Sequence, residues 1–272
     1  MLSLEGKTAF VFGVASEDSI AWAICQQLAA AGVTLYLGYQ KRFMSRIFQL
    51  KDQLPSIGGF YPLDVEEDAT TQEFFDAFAK EHPGKKADIL IHAIGFAPRA
   101  CFDRPILFVE GEDINTAMTI SANSLQRCLK HALPYLNPGS STVTLTYAAA
   151  NRYVPNYGIM SMAKAALESS VRYLAADLGN DKIRVNSLSA GPIKTLAASG
   201  IGDFRYILKW NQYNSPLRRN VTLNDVGGCG VYLLSDLSAG VTGETHHVDC
   251  GYHVVGMKAI DAPDMSPEKK EH

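Results

Sequence analysis

Residues 8–31 read TAFVFGVASEDSIAWAICQQLAAA, and the run stops at Gly32. Thr8 to Gly13 is a short, continuous apolar segment, the pattern of a strand buried on both faces. Ile20 to Ala31 is alanine-rich and ends at a glycine, the pattern of a helix with its stop signal. A strand, a glycine turn and a helix N-terminus form the opening of a βα unit.

The alternation continues outward from this unit. Val33 to Tyr39 reads as a second strand, and Phe60 to Val65 as the end of a third, followed by a helix over Ala69 to Glu81. Asp88 to Gly95 is a fourth strand, and a long helical stretch covers Asp113 to Leu136 before a turn at Asn137-Pro138-Gly139. Ser141 to Tyr147 is a fifth strand. Tyr157 to Leu178 is the longest helical pattern, stopped by Gly179-Asn180-Asp181. Ile183 to Ser189 is a sixth strand, and Glu244 to Asp249 a seventh. Thr222 and Asp225 have capping-box spacing, opening a helix to about Ser235. Strands separated by helices form a parallel sheet covered on both faces. The expected fold is therefore α/β: a Rossmann-like, doubly wound, seven-stranded parallel sheet in a single domain over residues 1–257. Residues 196–219 form a small helical lid, and 258–272 a loose polar tail.

Composition narrows the function classes. Of 272 residues, 47% are hydrophobic and 19% charged, ordinary for a protein with a full core. The net charge of −3 argues against nucleic acid or an anionic membrane as the main partner. No signal-peptide pattern opens the chain and no apolar run is long enough to span a bilayer. Cys25, Cys101, Cys128, Cys229 and Cys250 contain no C-x-x-C pair, which reads as reduced thiols in a cytoplasmic protein. No metal site is expected: His246 and His247 are adjacent on a strand and point to opposite faces.

The turn after the first strand is where a dinucleotide pyrophosphate sits, held by free N–H groups and the helix dipole. Gly13 alone stands for the three-glycine fingerprint, with small residues Ala15, Ser19 and Ala21 around it. The second strand ends in Gln40-Lys41-Arg42 rather than in the acid that grips a ribose. Gln40 suits ribose hydroxyls, and Lys41 and Arg42 suit a 2′-phosphate, so NADH and NADPH both remain open. Asp64-Val65 would meet an adenine edge, and Ile94-Gly95 would pass close to a ribose.

The stretch 147–164, YAAANRYVPNYGIMSMAK, holds tyrosines and a lysine at a spacing that suits proton donation. A seven-residue helical step is two turns less about 20°, which would point Tyr157 and Lys164 the same way. A phenol beside an ammonium can donate a proton to a developing oxyanion.

These features together resemble the short-chain dehydrogenase/reductase superfamily. Most of its members carry Tyr-x-x-x-Lys, whereas here six residues separate Tyr157 from Lys164 and a second tyrosine, Tyr147, stands upstream. From about Leu4 to Met257 the chain resembles the NADH-dependent enoyl-[acyl-carrier-protein] reductases of bacterial type II fatty acid synthesis. The matching stretches are Gly13–Trp22, His92–Pro98, Tyr147 with Pro155–Tyr157, Ala163–Glu168, Arg184–Pro192, Ile193–Ile201 and Asp236–Gly240.

That resemblance implies cofactor contacts from Gly13, Ser19, Ile20, Gln40, Asp64, Val65, Ile94 and Lys164. It adds Ile193, Lys194, Thr195, Leu196 and Ala197, and it makes Tyr147 and Tyr157 the active-site tyrosines. The implied reaction reduces the double bond of a trans-2-enoyl thioester on acyl carrier protein with NADH, in a homotetramer. Ala97, Met160, Ile201 and Phe204 are candidates to face the acyl chain. Lys194, Arg205, Lys209, Arg218 and Arg219 are candidates for a basic patch that docks the acidic carrier. One rival is a carbonyl reductase of the same superfamily, such as a 3-ketoacyl reductase. Ser161 stands where Tyr-x-x-x-Lys would put lysine, which argues against it. The other rival is a catalytically silent nucleotide-binding scaffold, since fold alone never proves activity.

Overall fold

A computed structural model describes residues 4–265. The expected tail beyond 265 lies outside the described residues. The chain runs β1 (Thr8–Phe12), α1 (Ile20–Ala30), β2 (Thr34–Tyr39), α2 (Met44–Leu50), β3 (Ile57–Pro62), α3 (Asp68–Glu81) and β4 (Ala87–His92). It continues through α4 (Ala100–Asp103), α5 (Gly111–Met118), α6 (Ser124–Ala132), β5 (Leu136–Thr146) and α7 (Gly158–Asp177). β6 (Arg184–Ala190), α8 (Phe204–Asn214), α9 (Leu223–Leu234) and β7 (Thr245–Val248) complete it. The strands form one sheet in the order β3-β2-β1-β4-β5-β6-β7. Every pairing is parallel, with Val11 opposite Leu37 on one side and Ile91 on the other.

The pleat of β1 explains why both faces are covered. Ala9 and Val11 point to one side, where Trp22, Ile24 and Leu28 of α1 and Val226 and Leu233 of α9 pack. Phe10 and Phe12 point to the other, onto Phe74, Phe75 and Phe78 of α3 and Leu125 of α6. The Phe10 ring meets the Phe78 and Phe75 rings edge-on at 4.8 and 5.3 Å, an arrangement the aromatic quadrupole favours. Truncating Phe78, which is fully buried, to alanine costs about 3–5 kcal/mol.

Several boundaries differ from the sequence reading. β3 spans Ile57–Pro62 and so starts ahead of Phe60; Gly58 and Gly59 carry no strand signal. The helical stretch before β5 is divided by a π turn at Thr119–Asn123. Residues 137–140 do not separate helix from strand. They bulge within β5, where Leu136 faces Ala87 and Ser141 already faces Ile89. The capping box forms as its spacing suggests: Thr222 N–H donates to Asp225 Oδ2 at 2.8 Å, and Asp225 N–H to Thr222 Oγ1 at 3.1 Å.

Candidate active site

The order reverses direction beside β1, which has β2 on one side and β4 on the other. In open α/β sheets this switch point, beyond the carboxyl ends of the strands, is where ligands bind. Gly13 makes the crevice possible. Its φ is +102°, and a Cβ there would stand 2.1 Å from Ala93 O. The chain leaving β1 thus presses against the chain leaving β4, where Ala93 N–H donates to Phe12 O at 2.9 Å. Ser19 caps α1: its hydroxyl accepts from Trp22 N–H at 3.4 Å and donates to Ser16 O at 2.7 Å. The first N–H groups of α1, at Ile20 and Ala21, need no partner within the helix and are available to an anion.

At the ends of β2 and β3, Gln40 bridges two partners. Its Nε2 donates to Asp64 Oδ2 at 3.5 Å and its Oε1 accepts from Arg42 Nε at 3.0 Å. The Arg42 guanidinium lies 4.8 Å from the centre of the Phe43 ring. Val65 is buried and its carbonyl accepts a hydrogen bond from Arg127.

Lys164 is buried on α7, and its Nζ donates to Leu145 O at the end of β5, at 2.7 Å. Burial pulls its pKa down to about 8, with Glu168 one turn on opposing the fall. Glu168 is held in place by Thr146 Oγ1, which donates to its Oε1 at 2.7 Å. Gly95 lies next to the ammonium: a Cβ there would stand 3.4 Å from Nζ. An ammonium has three donors, so Lys164 has two beyond the one given to Leu145 O.

Tyr157 is the residue preceding α7, and Gly158 after it has φ +41°. A Cβ on Gly158 would stand 2.1 Å from Cys101 O, so glycine lets α7 start against α4. The regular helical step begins only beyond Tyr157. Its ring packs 5.1 Å from that of Tyr147 at an interplanar angle of 53°. Among the described residues no hydrogen bond joins the phenol to Lys164. The lysine faces the strand ends, and the tyrosine faces an apolar cluster. Burial pushes the pKa of Tyr157 up, with the Tyr147 phenol adding to the rise. Burial raises Tyr147 as well, helped by Tyr252 and Asp249. Both phenols therefore stay protonated at neutral pH.

That cluster contains Ala97, Cys101, Ile159, Met160 and Tyr157, with Tyr147 and Ile201 packed against it. Three of the four residues expected to face an acyl chain thus come together. Phe204, the first residue of α8, is not among them. Thr195 Oγ1 accepts from Ala198 N–H at 3.1 Å, shaping the run Ile193 to Ala197 that leads into a tight turn at Ala197–Gly200. Helix α8 follows, anchored at its far end by Trp210 Nε1, which donates to Tyr252 OH at 2.9 Å. Lys194, Arg205 and Lys209 are exposed. Arg218 pairs with Asp261 at 2.8 Å, and Arg219 with Asp225 at 2.6 Å.

The sequence reading did not single out His92 or Ser121. His92 is fully buried, with Nδ1 2.8 Å from Thr144 Oγ1 and Nε2 2.8 Å from Ser124 Oγ. Burial, and secondarily Lys164, lower its pKa to about 3, so the ring is neutral and ties β4 to β5 and α6. Ser121, in the π turn, accepts from Phe96 N–H at 2.9 Å and donates to Phe96 O at 2.7 Å, fixing the chain just beyond Gly95. A polar residue interrupting the apolar run of β4 was the signal for His92.

The fold and these strand-end groups define a Rossmann-like nucleotide-binding architecture. The glycine cradle at Gly13, the first N–H groups of α1, the bare Gly95 and the spare donors of Lys164 fit a dinucleotide. A family profile described as enoyl-(acyl carrier protein) reductase matches residues 13–253. Enoyl-[acyl-carrier-protein] reductase [NADH] 1 of Rhizobium meliloti is 48% identical over 265 residues, covering 97% of this chain and 96% of its own. A Rickettsia felis enzyme of the same description is 43% identical, covering 94% and 98%. Among solved structures, the Anaplasma phagocytophilum reductase in complex with NAD superposes with a TM-score of 0.90 at 43% identity, covering 96% and 97%. The Bacillus cereus reductase with NADP+ and an indole naphthyridinone gives 0.91 at 41%, covering 94% and 100%. The chain belongs to the enoyl-(acyl carrier protein) reductase family.

Proposed function

We propose that this protein reduces the carbon–carbon double bond of a trans-2-enoyl thioester carried on acyl carrier protein, with NADH as the reductant. One observation carries the reading at the level of the site: a protonated tyrosine pair borders an apolar cluster, and a buried lysine seven residues beyond Tyr157 reaches the end of β5. Bound there, NADH supplies a hydride to the β-carbon of the enoyl group. Negative charge then gathers on the thioester oxygen, and a proton from solvent added at the α-carbon completes the saturated product. Tyr157, kept neutral by burial, donates a hydrogen bond to that oxygen; such a preorganised donor in a dry site is worth about 3–4 kcal/mol. Tyr147 packs on the Tyr157 ring and shapes the pocket. Lys164 binds ribose hydroxyls with its remaining donors and adds positive potential. Ala97, Met160 and Ile201 line the acyl path, and Gly13, Ser19, Ile20, Gln40, Asp64, Val65, Ile94 and residues 193–197 hold the dinucleotide.

The chain is read further as a cytoplasmic homotetramer. Five free cysteines support the compartment. Tyr173 and Met162, exposed on α7 near its small residues Ala165 and Ser169, support a subunit contact. A light-scattering mass of four chains tests the assembly. The reaction is tested by comparing crotonyl and acetoacetyl thioesters with NADH. Oxidation of NADH by the first and not the second is expected; the reverse would favour a carbonyl reductase, and turnover of neither a binding protein.

A further inference from the structure

Two residues of this region hold left-handed backbone, Asn156 at φ 59° and Asp203 at φ 53°, and one side chain joins them. Asn156 Nδ2 donates to Gly202 O at 3.0 Å and to Asp203 Oδ2 at 3.1 Å. Asn156 directly precedes Tyr157. Gly202 and Asp203 directly follow Ile201, which packs on the cluster that contains Tyr157 and Met160. Gly202 and Asp203 therefore link the turn Ala197–Gly200 to α8, and Asn156 holds that link from the loop before α7.

The helix start shows what this contact displaces. Aspartate at the residue before a helix ordinarily accepts a bond from the helix's own N–H groups. Asp203 occupies that position before α8 and makes no such cap; its carboxylate accepts from Asn156 instead. Asparagine is also among the few residues besides glycine that enter left-handed backbone readily. The loop closes tightly on it: a Cβ at Gly202 would stand 3.3 Å from the Asn156 amide nitrogen. The far end of α8 is tied separately, by Trp210 to Tyr252 and by Ala259 N–H donating to Asn214 Oδ1 at 2.8 Å. Asn156 thus holds the near end.

We propose that Asn156 is a positioning residue, the latch that holds the Ala197–Asp203 hinge closed over the acyl chain and so sets how well long chains bind. The inference rests on reading the site as that of an enoyl thioester reductase. It acts through the lid, so its signature is a change in KM that depends on chain length.

The test uses three variants of the full chain. Asn156→Gly keeps left-handed backbone available and removes the amide. Asn156→Asp sets two carboxylates against each other, and adding Asp203→Asn restores a donor to the pair. KM and kcat are measured with trans-2-dodecenoyl and crotonyl thioesters, and hydrogen exchange of residues 197–204 is followed without ligands. Loss of a bond to a charged acceptor raises the dodecenoyl KM about tenfold in Asn156→Gly, and the crotonyl KM less than about threefold. Exchange at 197–204 speeds up, and the double variant recovers at least part of what Asn156→Asp loses. Equal effects on both substrates, with unchanged exchange, would overturn the latch, as would absence of any recovery. If the unaltered enzyme turns over neither thioester, the functional reading fails, and the exchange measurement alone still decides whether Asn156 holds the hinge.

Discussion

Replacing Gly13 by alanine perturbs fold and site at one point. The new Cβ would start 2.1 Å from Ala93 O, and ordinary contact needs a retreat of about 1.3 Å. The bond from Ala93 N–H to Phe12 O, now 2.9 Å, would then stretch past hydrogen-bonding range. Losing it costs about 1 kcal/mol, and holding alanine at φ +102° adds about 1–3 kcal/mol. The sum is about 2–4 kcal/mol, which for a domain of this size lowers Tm by about 4–16 °C. Because Ala93 leads directly into Ile94 and Gly95, NADH should also stabilise the variant less. The assay is thermal unfolding by circular dichroism, with and without saturating NADH. Gly84→Ala is the control: its φ is +74° and no atom lies within 4 Å of the added Cβ, so it reports backbone strain without the clash. A Gly13→Ala loss no greater than that of Gly84→Ala, with a full NADH-induced rise in Tm, would refute the reasoning.

Lys164 gives a pH prediction. Its folded pKa of about 8 lies below the ordinary 10.5. Between these values the unfolded chain binds more protons, so stability rises with pH across that window. NADH affinity moves the other way, since the ammonium is present below about pH 8 and lost above it. Glu168→Gln removes the charge that opposes the depression, so the alkaline midpoint of NADH affinity should shift to lower pH; a midpoint that stays or rises contradicts this. Lys164→Ala should weaken NADH binding, which calorimetry checks directly, and unaltered affinity would remove its assigned role. Carrier docking through exposed Lys194 and Lys209 should raise the KM for carrier-bound substrate as salt is added. The KM for a free thioester should stay flat, and parallel salt curves for the two substrates would exclude this face.

The centre of the sheet was legible because β1, β2, β4 and β6 are runs of mostly buried residues bounded by glycine, proline or polar turns. Thr222 and Asp225 announced α9 by a purely local rule, and Thr8 to Gly13 announced β1. What the sequence concealed depends on contacts between distant segments. The β-branched and aromatic signals of β3 are diluted by Gly58 and Gly59, and within and just after the π turn at Thr119–Asn123, Ser121 bonds to Phe96 and Ser124 to His92. The spacing of Tyr157 and Lys164 singled out two side chains that the fold buries, but their separate surroundings follow from the break at Gly158, which no helical count contains. Arg218 and Arg219 read as candidates for a docking patch in the sequence, whereas carboxylates 43 and 6 residues away engage them.

The most direct test of the central claim is the single-turnover rate of trans-2-dodecenoyl thioester reduction at saturating NADH, for the unaltered enzyme and for Tyr157→Phe. Removing one preorganised donor to the thioester oxygen should slow the step by about 10²–10³-fold while NADH affinity stays within about twofold. A Tyr157→Phe rate within a factor of about two of the unaltered enzyme would contradict the account.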